Sequence, residues 1–330
     1  MLRPILVFRD PAALRRLSGS ATDCYEPSMN VAARALAFAA VMQLSHPAAA
    51  ETSAEEPPSA EQAGEEEPTP ERSREEEPLW EIGLVGGGGW LPDYPASDQN
   101  HINGIVLPYA IYRGDFFRIG DGEGPRGLFV DNPWLELNVG VDAAFPVDSD
   151  DNDAREGMDD LDYLLEAGPK LIVKLLPSDP LNEVDLSVAL RGVFSTDFSN
   201  LRYQGLTLNP GIAYRRNEVF GTDLEAIASL TGIFGFDGYN DYFYEVGEQD
   251  VRDDRPRFRA NQGYVGSEIT LGLSWGVTER VRVFGGTQIG IWSGSANEDS
   301  PLFRDETTLA VGGGLRWTFL ASEERVARKF

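Results

Sequence analysis

Thr307-Thr308-Leu309-Ala310-Val311-Gly312-Gly313-Gly314-Leu315-Arg316-Trp317-Thr318-Phe319 reads in twos. Leu309, Val311, Gly313, Leu315, Trp317 and Phe319 fall on one face, and Thr308, Ala310, Gly312, Gly314, Arg316 and Thr318 on the other. Side chains alternate across a strand, so one face is apolar and ends in two aromatics while the other is small or polar. A strand of an outer-membrane barrel has this pattern: lipid outside, a polar lumen inside, an aromatic girdle at the headgroups.

The pattern recurs along the chain. Trp80, Ile82, Leu84, Gly86, Gly88 and Trp90 form one apolar face, and Ile105, Leu107, Tyr109 and Ile111 a second. Leu135, Leu137, Val139, Val141, Ala143 and Phe145 are opposed by Glu136, Asn138, Gly140 and Asp142. Val184 to Leu190, Leu206 to Tyr214, Leu224 to Leu230, Ile269 to Trp275 and Val281 to Ile291 continue the alternation. Segments of this length suit tilted strands that cross a bilayer. Beyond these strands, two more come from Phe116–Ile119 with Leu128–Val130 and from Leu164–Leu175. A barrel in lipid must close, because an open edge leaves backbone groups unsatisfied. The expected fold is therefore all-β, a transmembrane antiparallel up-and-down barrel of about 12 strands, with 10 as the alternative count. A soluble barrel or sandwich is the competing reading. Short links such as Gly276–Glu279 read as periplasmic turns. Gln99–His101, Asp148–Asp160, Gly235–Gly263 and Ser293–Glu306 read as long external loops.

Composition agrees. The mean hydropathy of -0.28 argues against a helical membrane protein but not against strands whose every second residue is polar. One Cys and 2 His leave no disulfide framework and no histidine-rich metal centre. A net charge of -26 lacks the basic footprint of nucleic-acid binding. Part of that charge is local: Glu51 to Glu77 holds 11 Glu against Arg72 and Arg74, a net of -9. Such Glu/Pro/Ser-rich sequence cannot build a core. It reads as a solvated linker or, alternatively, as an interaction tail.

The domain order follows. Met29 to Arg34 is a short basic start, Ala35 to Leu44 an apolar core, and Ala48-Ala49-Ala50 a cleavage site, so residues 29–50 read as a signal peptide. Residues 1–28 then read as an upstream mis-extension that carries Cys24. Residues 51–78 are a disordered acidic linker, 79–319 the barrel, and 320–330 a C-terminal tail.

Candidate chemistry is sparse. His101 is the only His after the signal peptide, and no Ser–His pairing surrounds it in sequence. Asp148, Asp150, Asn152, Glu156 and Asp159 occupy positions one, three, five, nine and twelve of an EF-hand-like loop. Asp153 stands where that loop needs Gly, and position twelve is Asp rather than a bidentate Glu, so any divalent-ion binding would be weak. The competing reading is a solvated acidic loop; a third is a Ca²⁺ or Mg²⁺ bridge to lipopolysaccharide phosphates. Arg252, Arg255, Arg257 and Arg259 form either a cationic cluster or a charge-balanced loop. Arg191, Arg280, Arg282 and Arg316 line the lumen or pair with Glu136 and Glu268 to plug it.

Four stretches resemble one family. Asp93-Tyr94-Pro95-Ala96-Ser97-Asp98 is similar to the Tyr-Pro-Gly-Ser-Asp stretch of MipA/OmpV outer-membrane proteins. Pro108, Tyr112, Arg113 and Gly114 match its Pro-x-x-x-Tyr-Arg-Gly segment. Gly157 and Met158, then Gly168 and Pro169, resemble its Gly-Met-Pro-Asp-Leu and Glu-x-Gly-Pro stretches. Ser300, Pro301 and a last strand ending in Phe319 resemble its C-terminal end. The chain departs at Ala96 (usually Gly), at Asp159 (often Pro), in its acidic linker and in the residues beyond Phe319. The resemblance implies an outer-membrane protein of a Gram-negative bacterium, in contact with lipid and lipopolysaccharide. It implies a non-enzymatic scaffold for a lytic transglycosylase and a murein synthase, with no cofactor. Porin-like, osmotic-response and adhesin roles are the alternatives. The family contributes no catalytic residues.

Overall fold

The computed structural model describes residues 76–119, 125–144, 146–179, 181–236 and 238–327. The expected upstream extension, the expected signal peptide and nearly all of the expected acidic linker lie outside the described residues.

Among the described residues fourteen strands are formed. β1 (Glu76–Pro78) and β14 (Arg325–Ala327) pair with each other as a small ribbon. The other twelve close into one antiparallel barrel. They are β2 (Trp80–Pro92), β3 (Asn100–Arg113), β4 (Phe117–Ile119), β5 (Arg126–Asp131), β6 (Leu135–Ala144) and β7 (Tyr163–Lys174), followed by β8 (Asn182–Thr196), β9 (Leu201–Arg216), β10 (Leu224–Phe236), β11 (Gly263–Thr278), β12 (Val281–Ile291) and β13 (Thr307–Ala321). β13 closes the barrel on β2, with Trp317 opposite Leu84 and Val311 opposite Trp90.

Burial follows the expected alternation in β13. Leu309, Val311, Leu315, Trp317 and Phe319 are exposed on the outer wall, while Thr308, Ala310, Arg316 and Thr318 are buried inside. Trp80, Trp90, Trp275, Trp317 and Phe319 contribute outward aromatics at the strand ends.

β3 departs from the expected facing. Tyr109 and Ile111 are buried in the lumen, and Ile102, Val106 and Tyr112 face outward. Both faces of this strand are apolar, so periodicity could not choose between them. Pairing chooses: Trp80 opposite Tyr112 and Trp90 opposite Ile102 place those partners on the same outer face. The stretch Phe116–Val130 also differs, since it forms two short strands, β4 and β5, rather than one. β1 uses the last residues of the expected linker, and β13 and β14 extend past Phe319.

The two ends of the barrel differ. At the end that holds β1 and β14 the links are short and built by turn residues. Thr278 Oγ1 accepts from Arg280 N and Val281 N, Asn132 Oδ1 from Trp134 N and Leu135 N, and Asp179 Oδ1 from Leu181 N and Asn182 N. At the other end the segments 93–99, 146–162, 238–262 and 292–306 fold over the barrel mouth. They include a short helix, α1 (Tyr239–Tyr244). Short turns at one end and long loops at the other mark the end with β1 and β14 as the periplasmic one.

Candidate functional site

The lumen is built in three levels. At the periplasmic base, inward side chains of β2, β3, β10, β12 and β13 interlock. Arg282 is almost fully buried and reaches Asp223 at 2.5 Å, Ser274 Oγ at 3.1 Å and Glu225 at 3.7 Å. The Arg316 guanidinium lies 5.6 Å over the Tyr109 ring. The Tyr109 hydroxyl bonds to Thr318 Oγ1, which donates to Glu81 at 3.2 Å. Arg113 joins Glu77 and Glu81, each at 2.8 Å, and donates to Pro78 O. Val85, Tyr109, Ile111, Ile227 and Phe284 pack beside this network. Removing charges from water is costly unless they are paired, so the arginines and acids fill the base as a set.

At the outer end the loops form a second core rather than solvated connections. Tyr94, Leu161, Tyr239, Phe243, Tyr244, Trp292 and Leu302 are among its buried members. The Tyr94 hydroxyl donates to Leu302 O at 2.8 Å, Tyr244 OH to Pro95 O at 3.1 Å, and Ser300 Oγ to Tyr244 O at 2.7 Å. Asn152 donates to Asp93 Oδ2 at 2.7 Å and to Ser97 Oγ at 3.3 Å. Arg155 stands 5.9 Å over the Tyr94 ring. Burial pushes the phenol pKa values of Tyr94, Tyr242 and Tyr244 well above the ordinary tyrosine value.

Between base and cap lies a cavity of about 470 Å³. Glu166, Lys170, Arg191, Asn209, Glu268 and Gln288 give it a polar lining. Arg191 meets Asp142 at 2.7 Å, and Gln288 donates to Glu268 at 3.0 Å. Arg126 donates to Glu136 at 3.1 Å. The lumenal arginines therefore do form ion pairs, but with other partners than expected. Arg191 takes Asp142, Arg282 takes Asp223 and Glu225, and Arg280 is exposed in a turn.

The motif residues separate into three places. Tyr94, Pro95, Ser97, Asp98, Gly157, Met158, Ser300 and Pro301 lie together in the outer loops. Asp98 pairs with Arg304 at 3.5 Å, Met158 packs on the cap core, and Gly157 adopts a left-handed φ of 73° beneath Arg252. Tyr112, Arg113 and Gly114 lie at the base, where a Cβ on Gly114 would strike the Tyr112 ring. Pro108, Gly168, Pro169 and Phe319 belong to the wall.

The five acidic-loop residues do not converge. Asp148 accepts from Asp150 N, Asp150 Oδ1 from Gly157 N, Glu156 pairs with Arg252, the Asp159 carbonyl receives Ser149 and Arg155, and the Asn152 amide is buried against Asp93. Among the described residues no three His, Cys, Asp or Glu side chains gather as a metal site. His101 Nδ1 bonds to Asp93 Oδ1 at 2.7 Å. Ser97 Oγ is engaged by Gln99 and Asn152 instead, so the Asp93–His101 pair is not joined to it as a nucleophile–base system. Arg252, Arg255 and Arg257 stitch segment 238–262 to itself and to segment 146–162.

Sequence reasoning missed Asp93, Asn152 as a cap residue, and Glu225. The partners of Asn152 and Glu225 are distant in the chain, and Glu225 itself lies on β10, whose alternation is weak. The buried face of β10, with Glu225 opposite outward Leu224 and Ala226, was the available signal.

Comparison with known proteins gives a family match. The family described as MltA-interacting protein MipA matches over residues 84–319. No curated protein matches the chain. Among solved structures, a bacterial polysaccharide outer membrane secretin is 9% identical, with a TM-score of 0.37, covering 73% of this chain and 99% of its own. Outer membrane phospholipase A from Escherichia coli is 10% identical, with a TM-score of 0.28, covering 73% and 93%. CarO2 of Acinetobacter baumannii is 9% identical, with a TM-score of 0.17, covering 72% and 99%.

Proposed function

The chain belongs to the MipA family of outer-membrane barrels, and from that membership we propose that it is a non-enzymatic scaffold that holds murein-remodelling enzymes at the periplasmic face of the outer membrane. Its partners on this reading are a lytic transglycosylase and a murein synthase, and its outer wall and cap meet lipid and lipopolysaccharide. The observation that supports it most is the construction of the periplasmic base. Arg113 ties Glu77 and Glu81 to the barrel, and β1 pairs with β14, so the acidic chain ahead of Glu76 starts from that face. A long tether of net negative charge, rooted where enzymes of the periplasm can reach it, suits recruitment.

The test is capture with the full-length tagged protein from outer membranes dissolved in mild detergent. Both classes of murein enzyme should co-purify, and less of each when the glutamates of residues 51–77 are changed to Gln. Recovery of neither enzyme would contradict the scaffold role.

A further inference from the structure

Most acids of the lumen have a partner. Asp142 holds Arg191 at 2.7 Å, Glu136 holds Arg126 at 3.1 Å, and Glu225 lies 3.7 Å from Arg282. Glu268 accepts from Gln288 at 3.0 Å. Glu166 forms no hydrogen bond or ion pair with any other described residue. Its place on β7 is the reason. It stands directly opposite Asp142 on β6, so two carboxylates face each other across the strand pair, an arrangement that destabilises a sheet. The charges that act on Glu166 are those of Arg191, Asp142 and Glu268: two acids, and one guanidinium already taken by Asp142. Lys170 lies four residues further along β7, about 13 Å at the rise of a strand.

A carboxylate taken out of bulk water without a partner is costly, and a cation beside it removes the cost. A metal ion does not fit, because among the described residues no three His, Cys, Asp or Glu side chains gather around one point. The cavity that Glu166 lines is also larger than one ion needs. At about 470 Å³ it lies within the range of small-ligand sites, about 300–1,000 Å³. Elsewhere its lining offers neutral hydrogen-bonding groups, those of Ser187, Asn209, Thr231 and Gln288. Asn209 Oδ1 is buried there without a hydrogen-bond partner. Tyr94, Pro95 and Tyr239 of the outer segments belong to the same lining, so the cavity lies directly beneath the cap. A ligand that meets these features carries one ammonium for the carboxylate and several hydroxyls for the amides and hydroxyls around it.

We propose that the lumenal cavity binds a small hydroxylated primary amine, with its ammonium on Glu166 and its hydroxyls on the neutral polar side chains around Asn209. Glu166 is then the residue that sets specificity. An ammonium supplies the positive charge that Asp142 and Glu268 do not. A neutral analogue of the same shape leaves the carboxylate unpaired and binds less well for that reason.

The test is calorimetric titration of the purified, folded full-length protein in maltoside detergent, at about 0.15 M salt so that exposed acids are screened. The probes are D-glucosamine and, separately, D-glucose, which carries a hydroxyl in place of the amine. The expected result is saturation at one glucosamine per barrel, with glucose at least about ten-fold weaker. Glu166→Gln removes the charge at nearly constant shape. It should bring glucosamine down to the affinity of glucose while the barrel stays heat-modifiable, a loss of discrimination that a purely structural role for Glu166 would not produce. Glu248→Gln, on an exposed outer segment, should bind as the parent does. If Glu166→Gln does not fold, Asn209→Val makes the test from the hydroxyl side and should weaken glucosamine binding. No saturable binding of glucosamine, equal affinities for the two sugars, or undiminished glucosamine binding by a folded cavity variant would overturn the proposal.

Discussion

Arg282 shows how much single residues of the lumen carry. Its guanidinium pairs with Asp223 and Glu225, and Glu225 is as buried as Arg282 itself. Arg282→Ala breaks this buried ion pair, which costs about 3–5 kcal/mol. The temperature at which the folded band disappears in gel mobility should fall clearly, and an unchanged midpoint would contradict this role. A second residue-scale consequence concerns the cap. Tyr94, Tyr242 and Tyr244 hold their protons in the folded state above the pH where unfolded tyrosine ionises, near 10. Their folded pKa values are raised, so the stability they contribute is complete below pH of about 10 and declines as pH rises beyond it. Alkaline titration should show these phenolates appearing only as the cap opens. Ionisation of Tyr94, Tyr242 and Tyr244 near pH 10 in a still-folded protein would exclude it. Residues of this kind were only half legible. The Tyr-Pro-Ala-Ser-Asp stretch stood out as a motif, but Tyr94 meets Leu302 across more than 200 positions, a contact that no local pattern encodes.

Strands were the most legible elements, because lipid on one side and polar lumen on the other impose period two. β13 and β2 follow the pattern read from them. β3 does not, since apolar residues occupy both of its faces and only its register on β2 decides which face meets lipid. The loops were misjudged for a related reason. Polar composition suggested solvated connections, whereas their scattered aromatics condense into one cap core. Two substitutions test the strand assignments. Leu271→Arg, mid-strand on the outer face of β11, should destabilise the barrel by about 2–4 kcal/mol. A cost near zero in urea unfolding from bilayers would mean that this face does not meet lipid. Gly314 permits the close approach of β13 to β2, because a Cβ there would clash with the Gly86 carbonyl. Gly314→Val should therefore lower the yield of folded barrel, with Val283→Ile on an open outer position as the tolerated control.

The whole molecule is a barrel closed below by charged pairs and above by its own loops, with a polar cavity between them. Such a body gives ions no straight path. Planar bilayers containing the purified protein should show no discrete conductance steps, and regular steps would favour the porin-like alternative over the scaffold. The most direct check of the central claim, a closed twelve-stranded outer-membrane barrel, is gel mobility of the protein from purified outer membranes with and without boiling. The unboiled protein should fractionate with the outer membrane and run as a compact species whose mobility changes on heating. A protein found free in the periplasm, with identical mobility before and after boiling, would mean that its apolar outer faces pack on one another rather than on lipid.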